Sequence, residues 1–215
     1  QLFSGDPAHV VNFFRFVAQD LREHMARLGF RSVNEMVGRV DKLVPRRDVH
    51  HFKAKHLDLS RLLQLAPDDA RTASYCCVPQ DHGLDRALDN ELLRLAAPAL
   101  ERREPVRAGI EIRNVHRTVG TILGQEITRR FGPEGLPEDT IRFEARGSAG
   151  QSFMAFAPPG LTLELEGEAN DYFCKGLSGG KVILYPPRNA GFDPNENSIC
   201  GNVSFYGATS GKAFI

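Results

Sequence analysis

Between Gly147 and Ile215 the chain repeats one arrangement three times: GSAGQSFMAF, then GEANDYFCKGLSGGKVILYPP, then ICGNVSFYGATSGKAFI. Each time a glycine-bearing turn leads into short runs of alternating apolar residues. No Asn-Gly hairpin signal joins these runs. The pattern predicts parallel strands stacked rung on rung, each rung satisfying the backbone groups left open by its neighbour. More than half of the 20 glycines fall after residue 139. Gly147, Gly150, Gly167, Gly176, Gly179, Gly180, Gly201, Gly207 and Gly211 are read as structural turns, because a tight corner needs backbone freedom that a Cβ removes. GSAG and GLSGG also resemble phosphate-cradling loops. Yet no P-loop Lys-Ser/Thr ending follows them and no GxGxxG opens a helix. Corners are the reading that needs only glycine's backbone.

The strands before and within this stretch are legible from alternation. Val106, Ile110, Ile112 and Val115 give strand character to 105–115. Ile141, Phe143 and Ala145 alternate with charged neighbours, as do Leu161, Leu163 and Leu165, and Val182–Tyr185 reads as a more fully apolar strand. Between the first two, Val119-Gly120 leads into TILGQEITRRF, a helix closed by Gly132-Pro133.

Upstream, the signals are helical. Asp6 and Pro7 form a helix start, and Val10, Phe13, Phe14, Val17, Leu21, Met25 and Leu28 recur at helical spacing up to Gly29. Ser32 and Glu35 make a capping-box pattern for a short second helix. A further helix is expected from about Gly83 to Glu104, with Leu84, Leu88, Leu92 and Leu95 on its apolar face and Pro98 kinking or dividing it. Asp85, Asp89 and Glu91, interleaved with Arg86 and Arg94, read as surface pairs. Between these helices, residues 41–61 hold Lys42, Arg46, Arg47, Lys53, Lys55 and Arg61 with His50, His51 and His56. A solvated linker and an anion- or metal-contacting surface are the two readings of that segment. Pro67 and Pro79 mark the region after it as mostly loop.

Charge excludes some partners. Twenty-seven basic and 27 acidic residues balance. Nucleic acid and anionic membrane surfaces draw on a basic surplus that this chain lacks. No apolar run approaches a membrane span, and the N-terminus, beginning at Gln1, has no signal-peptide pattern. The four cysteines, Cys76, Cys77, Cys174 and Cys200, have no CxxC spacing. They fit a reducing, cytoplasmic setting with buried thiols.

The ordered run RNVHRTVGTILGQEITRRFGPEGLPEDTIRFEARGSAGQSF, LELEGEANDYFCKGLSGGKVILYPP and GNVSFYGATSGKAFI resembles the carboxyl-terminal region of the glutamate synthase large subunit family. GDPAHVVNFFRFVAQDLREHMARLGFRSVNEMVGRVDKL resembles the end of that family's FMN-binding barrel. The resemblance implies three regions: 1–40 as the helical tail of the FMN-binding domain, 41–104 as linker and helices, and 105–215 as a truncated carboxyl-terminal domain. It implies a mainly β fold with an α-helical N-terminal part, the carboxyl-terminal domain being a single-stranded, right-handed parallel β-helix. It also implies a parent enzyme that makes glutamate from glutamine and 2-oxoglutarate using FMN and an iron–sulfur cluster.

This chain has no N-terminal cysteine nucleophile, and the family's cluster cysteines and FMN barrel body precede its first helix. No catalytic, cofactor-binding or metal-ligating residue is therefore assigned. The expected role is structural, with the remaining glutamate synthase domains as partners, and the small reductase subunit or a second copy through the Phe-rich helix or open strand end as further ones. The expected status is a fragment or a split or truncated product. Three departures stand out: Met154 and Cys174 where glycine is expected, implying widened corners, and His116 where the family more often has aspartate. The alternative is a stand-alone assembly module, as a similar glycine-rich domain accompanies catalytic domains in formylmethanofuran dehydrogenase.

Overall fold

A computed structural model describes residues 5–46, 48–65, 73–193 and 195–215. Gln1, Arg47 and Pro67, singled out above, lie outside the described residues. The chain divides into two compact units, the first ending at Gln80 and the second spanning Asp81–Ile215.

The first unit opens with α1 (Pro7–Leu28). The Asp6 carboxylate accepts from the Ala8 N–H at 2.8 Å, and Gly29 ends the helix at φ 80°. Helix α2 (Val33–Met36) starts at Ser32, whose hydroxyl accepts from the Glu35 N–H at 3.3 Å. The reciprocal bond is displaced by one residue, since Glu35 accepts from Arg31 N–H rather than from Ser32. Short 3-10 turns at Val40–Lys42 and Ala54–His56 follow. Met25 of the α1 stripe is buried, whereas Phe13, Phe14 and Phe16 are 62%, 65% and 72% exposed.

The second unit begins with a 3-10 turn (Leu84–Arg86), then α3 (Asp89–Leu95) and α4 (Ala97–Arg102). The single helix expected over these residues is thus divided. Pro98 falls in the first turn of α4, where its missing N–H has no intrahelical partner to lose, so the break comes at Ala96. After β1 (Val106–Ile112) come α5 (Thr121–Phe131), β2 (Ile141–Ala149), β3 (Leu161–Ala169), β4 (Ser178–Tyr185) and β5 (Ser210–Phe214).

These strands form one five-stranded sheet in the order β1-β2-β3-β4-β5, every pair parallel. This corrects the expected mainly β, single-stranded β-helix. The architecture is an all-parallel sheet with attached helices, α/β in character. The difference has a local cause. Gly147, Gly167, Gly179, Gly180 and Gly211, expected at corners, lie inside β2, β3, β4 and β5. Ile112, Gly147 and Gly167 stand in one register column across three strands. A Cβ on Gly147 would sit 2.2 Å from the Ile112 carbonyl oxygen, and one on Gly167 would sit 1.9 Å from that of Gly147. The glycines let neighbouring backbones close up, and the strands run on through the positions that read as turns.

One sheet face and the helices enclose the core. Ile110, Ala145, Leu165 and Leu184 are buried in one row and Phe143, Leu163 and Val182 in the next, with Leu92, Ala96, Ala99, Leu123 and Ile127 packed in the same cluster. Between strands the chain returns through rows in which every second residue has positive φ: Ser152, Met154 and Phe156, then Tyr172, Cys174 and Gly176, then Val203, Phe205 and Gly207. The rows bond to one another. Ser152 N–H donates to Asp171, Cys174 N–H to Phe153, Tyr172 N–H to Asn202 and Phe205 N–H to Phe173, all at 2.8–2.9 Å. A positive φ costs an L-residue about 1–2 kcal/mol. The interrow bonds and the ring ladder Phe153–Phe173–Phe205, with centroids 6.1 and 5.6 Å apart, offset that cost. Met154 and Cys174 are therefore regular positions. Both are fully buried and occupy the same place in successive rows.

Candidate functional site

The sheet's outer face carries the chain's densest chemistry. Alternation puts Arg142, Glu144 and Arg146 of β2 outward, beside Thr162, Glu164 and Glu166 of β3. The register sets like charges side by side: Arg107 against Arg142, Glu144 against Glu164, Lys181 against Lys212. Directly opposed like charges are destabilising, and diagonal bonds relieve them. Arg107 donates to Glu144 at 2.6 Å, Arg142 to Glu164, and the Tyr185 hydroxyl to Glu164 at 2.8 Å. Arg146 lies 3.3 Å from Glu166. Lys181 reaches Glu138 at 2.8 Å and Asp139 at 2.6 Å, and Lys212 reaches Glu138 at 2.6 Å.

The ionisation states follow from these contacts. Burial pulls the Glu164 carboxyl up, but the Tyr185 and Arg142 bonds and the nearby Arg142 and Arg107 charges bring it below the usual glutamate range. Hydrogen bonds to Asp139 and Glu138 raise Lys181. These groups hold one another as ions.

An open groove of about 500 Å³ lies at the end of this face. It is lined by Arg146, Gly147, Glu166 and Gly167 of β2 and β3 and by Pro187 and Phe192 from the long connection after β4.

The other sequence candidates are dispersed. Gly150 and Gly201 sit in connections where a Cβ would meet the His116 and Asn114 carbonyls or Asp171. Gly176 and Gly207 end the positive-φ rows. The loops that resemble phosphate cradles use their donors internally. Gly150 N–H donates to His116, Gly176 N–H to Tyr206, and the Ser178 and Gly180 N–H groups to Ala157. His116 accepts at Nδ1 from the Arg113 N–H at 3.2 Å. His50, His51 and His56 are exposed. Among the described residues no three His, Cys, Asp or Glu side chains gather as a metal site would require. No helix among the described residues is long and apolar enough to cross a membrane.

Sequence reasoning misses Asp89. The alternating charges around it suggest a surface pair, yet it is 2% exposed. Its Oδ2 accepts from Gly120 N–H at 2.9 Å and its Oδ1 from Leu123 N–H at 3.0 Å, at the start of α5. The signal lies in the small residues. Leu92, Ala96 and Ala99 mark the buried stripe, and Asp89 stands one turn before Leu92 on it. Glu126 ties the other end of α5, accepting from Arg129 and Arg130 at 2.6–2.7 Å, while Arg130 also donates to the Leu100 carbonyl at 3.2 Å.

The two arginine bonds hold Glu126 down at about 2. Its folded value is depressed, so its stabilisation is present above the unfolded value of about 4.5 and is lost as pH falls toward about 2. Glu126→Gln is expected to remove that component. Urea melts across this acid range should show a shallower loss of stability in the variant than in the unmodified chain.

The second unit is thus an all-parallel sheet with glycines in register inside its strands, positive-φ connections bonded to one another and a charge-paired outer face. The family described as GXGXG motif matches residues 89–215, and the chain belongs to that family. Over 99% of its length the chain is also similar to three glutamate synthases. It is 53% identical to Glutamate synthase [NADH] of Schizosaccharomyces pombe, of which it covers 10%. It is 49% identical to Glutamate synthase [NADPH] large chain of Bacillus subtilis, covering 14%. It is 46% identical to Glutamate synthase [NADH] of Saccharomyces cerevisiae, covering 10%. The chain thus spans between 10% and 14% of the length of these relatives.

Proposed function

We propose that this chain serves a glutamate synthase as a positional element, while glutamine hydrolysis, FMN and iron–sulfur chemistry are carried by other parts of that cytoplasmic enzyme. The parent reaction is the reductive formation of glutamate from glutamine and 2-oxoglutarate. The observation that carries this reading is the similarity over 99% of the chain to enzymes of which it makes up 10–14%. The chemistry of the outer face supports it, because the charges there are paired with one another. The exposed Phe13, Phe14 and Phe16 of α1 support it too, since an apolar face of that kind is suited to cover by another surface. The remaining domains of the synthase are its proposed partners.

The purified chain, supplied with FMN, glutamine, 2-oxoglutarate and a reductant, is expected to retain no flavin or iron and to form no glutamate. A yellow or brown preparation after desalting, or glutamine-dependent glutamate formation, sinks the proposal.

A further inference from the structure

We infer that the groove beside Gly167 takes a guanidinium on an apolar stem, as the arginine side chain of a partner polypeptide presents it. The groove marks a break in the repeat. Strands β2 and β3 keep step from Arg146 to Ala149 against Glu166 to Ala169. On the other side of β3, Tyr185 pairs with Glu166 and Cys200 with Ala169. The three steps from Glu166 to Ala169 are there matched by fifteen from Tyr185 to Cys200. An insertion in a repeating array places a loop on one face, often the face that binds. This loop brings Pro187 and Phe192 to the groove, and the Phe192 ring is 44% exposed. The volume, about 500 Å³, is within the range of ligand sites.

The backbone supplies an acceptor. Ala169 N–H donates to the Ile199 carbonyl at 2.9 Å, and the Ala169 carbonyl accepts from Gly201 N–H at 3.0 Å. Both groups of Ala169 thus face the connection after β4, and Gly167, two residues earlier in the strand, turns its groups the same way. The register that pairs Glu166 with Tyr185 sets Gly167 beside Pro186, so the ladder donor due to the Gly167 carbonyl is the N–H of residue 187. Proline has none, and Gly167 and Pro187 both line the groove. The side chains add charge. Glu166 pairs with Arg146 at 3.3 Å, and Glu168 accepts from the Ser148 hydroxyl at 2.9 Å. Two carboxylates against one guanidinium make the lining negative. A ring beside carboxylate and carbonyl oxygens suits a planar cation that stacks on the first and donates to the others. Guanidinium does both, whereas an ammonium is a compact and more strongly hydrated charge. Free arginine would bring an α-carboxylate that a negative groove repels. An arginine within a polypeptide has that carboxyl in an amide bond.

NMR titration of the full-length chain with Nα-acetyl-arginine amide should shift the resonances of Ser148, Gly167 and Phe192, with a millimolar Kd that weakens as salt is added. The citrulline analogue has the same shape without the charge and should bind about 10-fold more weakly. Free arginine should also bind more weakly than the amide. Glu168→Gln should weaken the arginine amide by about 10-fold, and Phe192→Ala by about 5-fold. Both residues are exposed, so the spectra of these variants should keep the parent's dispersion away from the groove. Glu111→Gln, at an exposed acid outside the groove lining, should bind as the parent does. The inference is overturned if no resonance at the groove moves, if the citrulline analogue binds as the arginine amide does, if free arginine binds at least as tightly as the amide, or if either groove variant binds as the parent does.

Discussion

Gly167→Ala is expected to cost the sheet unit about 3–5 kcal/mol, the sum of a glycine-only backbone conformation and an overpacked contact. Gly167 has φ 151°, and the added methyl would lie 1.9 Å from the carbonyl oxygen of Gly147. That oxygen belongs to paired β2 backbone, so it has no rotamer through which to retreat. Two controls separate the causes. Gly132 has φ 68° and ψ −163°, a region open essentially to glycine alone, and a methyl added there would have nothing within 4 Å, so Gly132→Ala isolates backbone strain at about 1–3 kcal/mol. Gly191 has open space and no positive φ, so Gly191→Ala should change stability by less than about 0.5 kcal/mol. Urea midpoints at unchanged m-value rank the three. If Gly167→Ala melts with Gly132→Ala, the close approach of β2 and β3 is not what fixes glycine there.

The positions that need glycine are legible in the sequence, but the reason for them is not. A glycine at a corner and a glycine in a strand column look alike along the chain, since both follow alternating apolar residues. Only the register, which sets Gly167 beside Gly147 and Gly147 beside Ile112, tells them apart, and register is a long-range property. Local signals fare better. The Asp6-Pro7 start and the Gly29 stop of α1 depend on neighbouring residues alone, and they stand where the sequence puts them. Met154 and Cys174 fail as irregularities for the opposite reason. A bulky residue at positive φ looks like an error locally, and it is stable only because the adjacent rows bond to it and bury it. The charged face is legible as alternation, but its diagonal pairing, Arg142 to Glu164 and Tyr185 to Glu164, again needs the register.

Asp89 gives the second large effect, and its two substitutions should part company. Helix α5 begins at Thr121 behind Gly120, which has no side chain with which to cap it. The carboxylate of Asp89 caps it from α3, accepting from Gly120 and Leu123 N–H groups in a buried setting. Asp89→Ala strands both donors and leaves a small void, a loss of about 3 kcal/mol. Asp89→Asn keeps one carbonyl acceptor and carries no charge to desolvate, so it should stay within about 1 kcal/mol of the parent near neutral pH. The pH dependence checks the balance. Burial raises the Asp89 carboxyl despite opposing bonds from the Leu123, Gly120 and Ile122 N–H groups. A raised folded value means that the protonated form is the better one in the fold. Its contribution is complete below the unfolded aspartate range and is lost as pH rises through the raised value. The parent chain should therefore lose ground to Asp89→Asn on passing upward through that window. If the parent instead gains on the asparagine variant as pH rises, the N–H groups of α5 outweigh the cost of burying the charge, and Asp89 acts as an ionised cap.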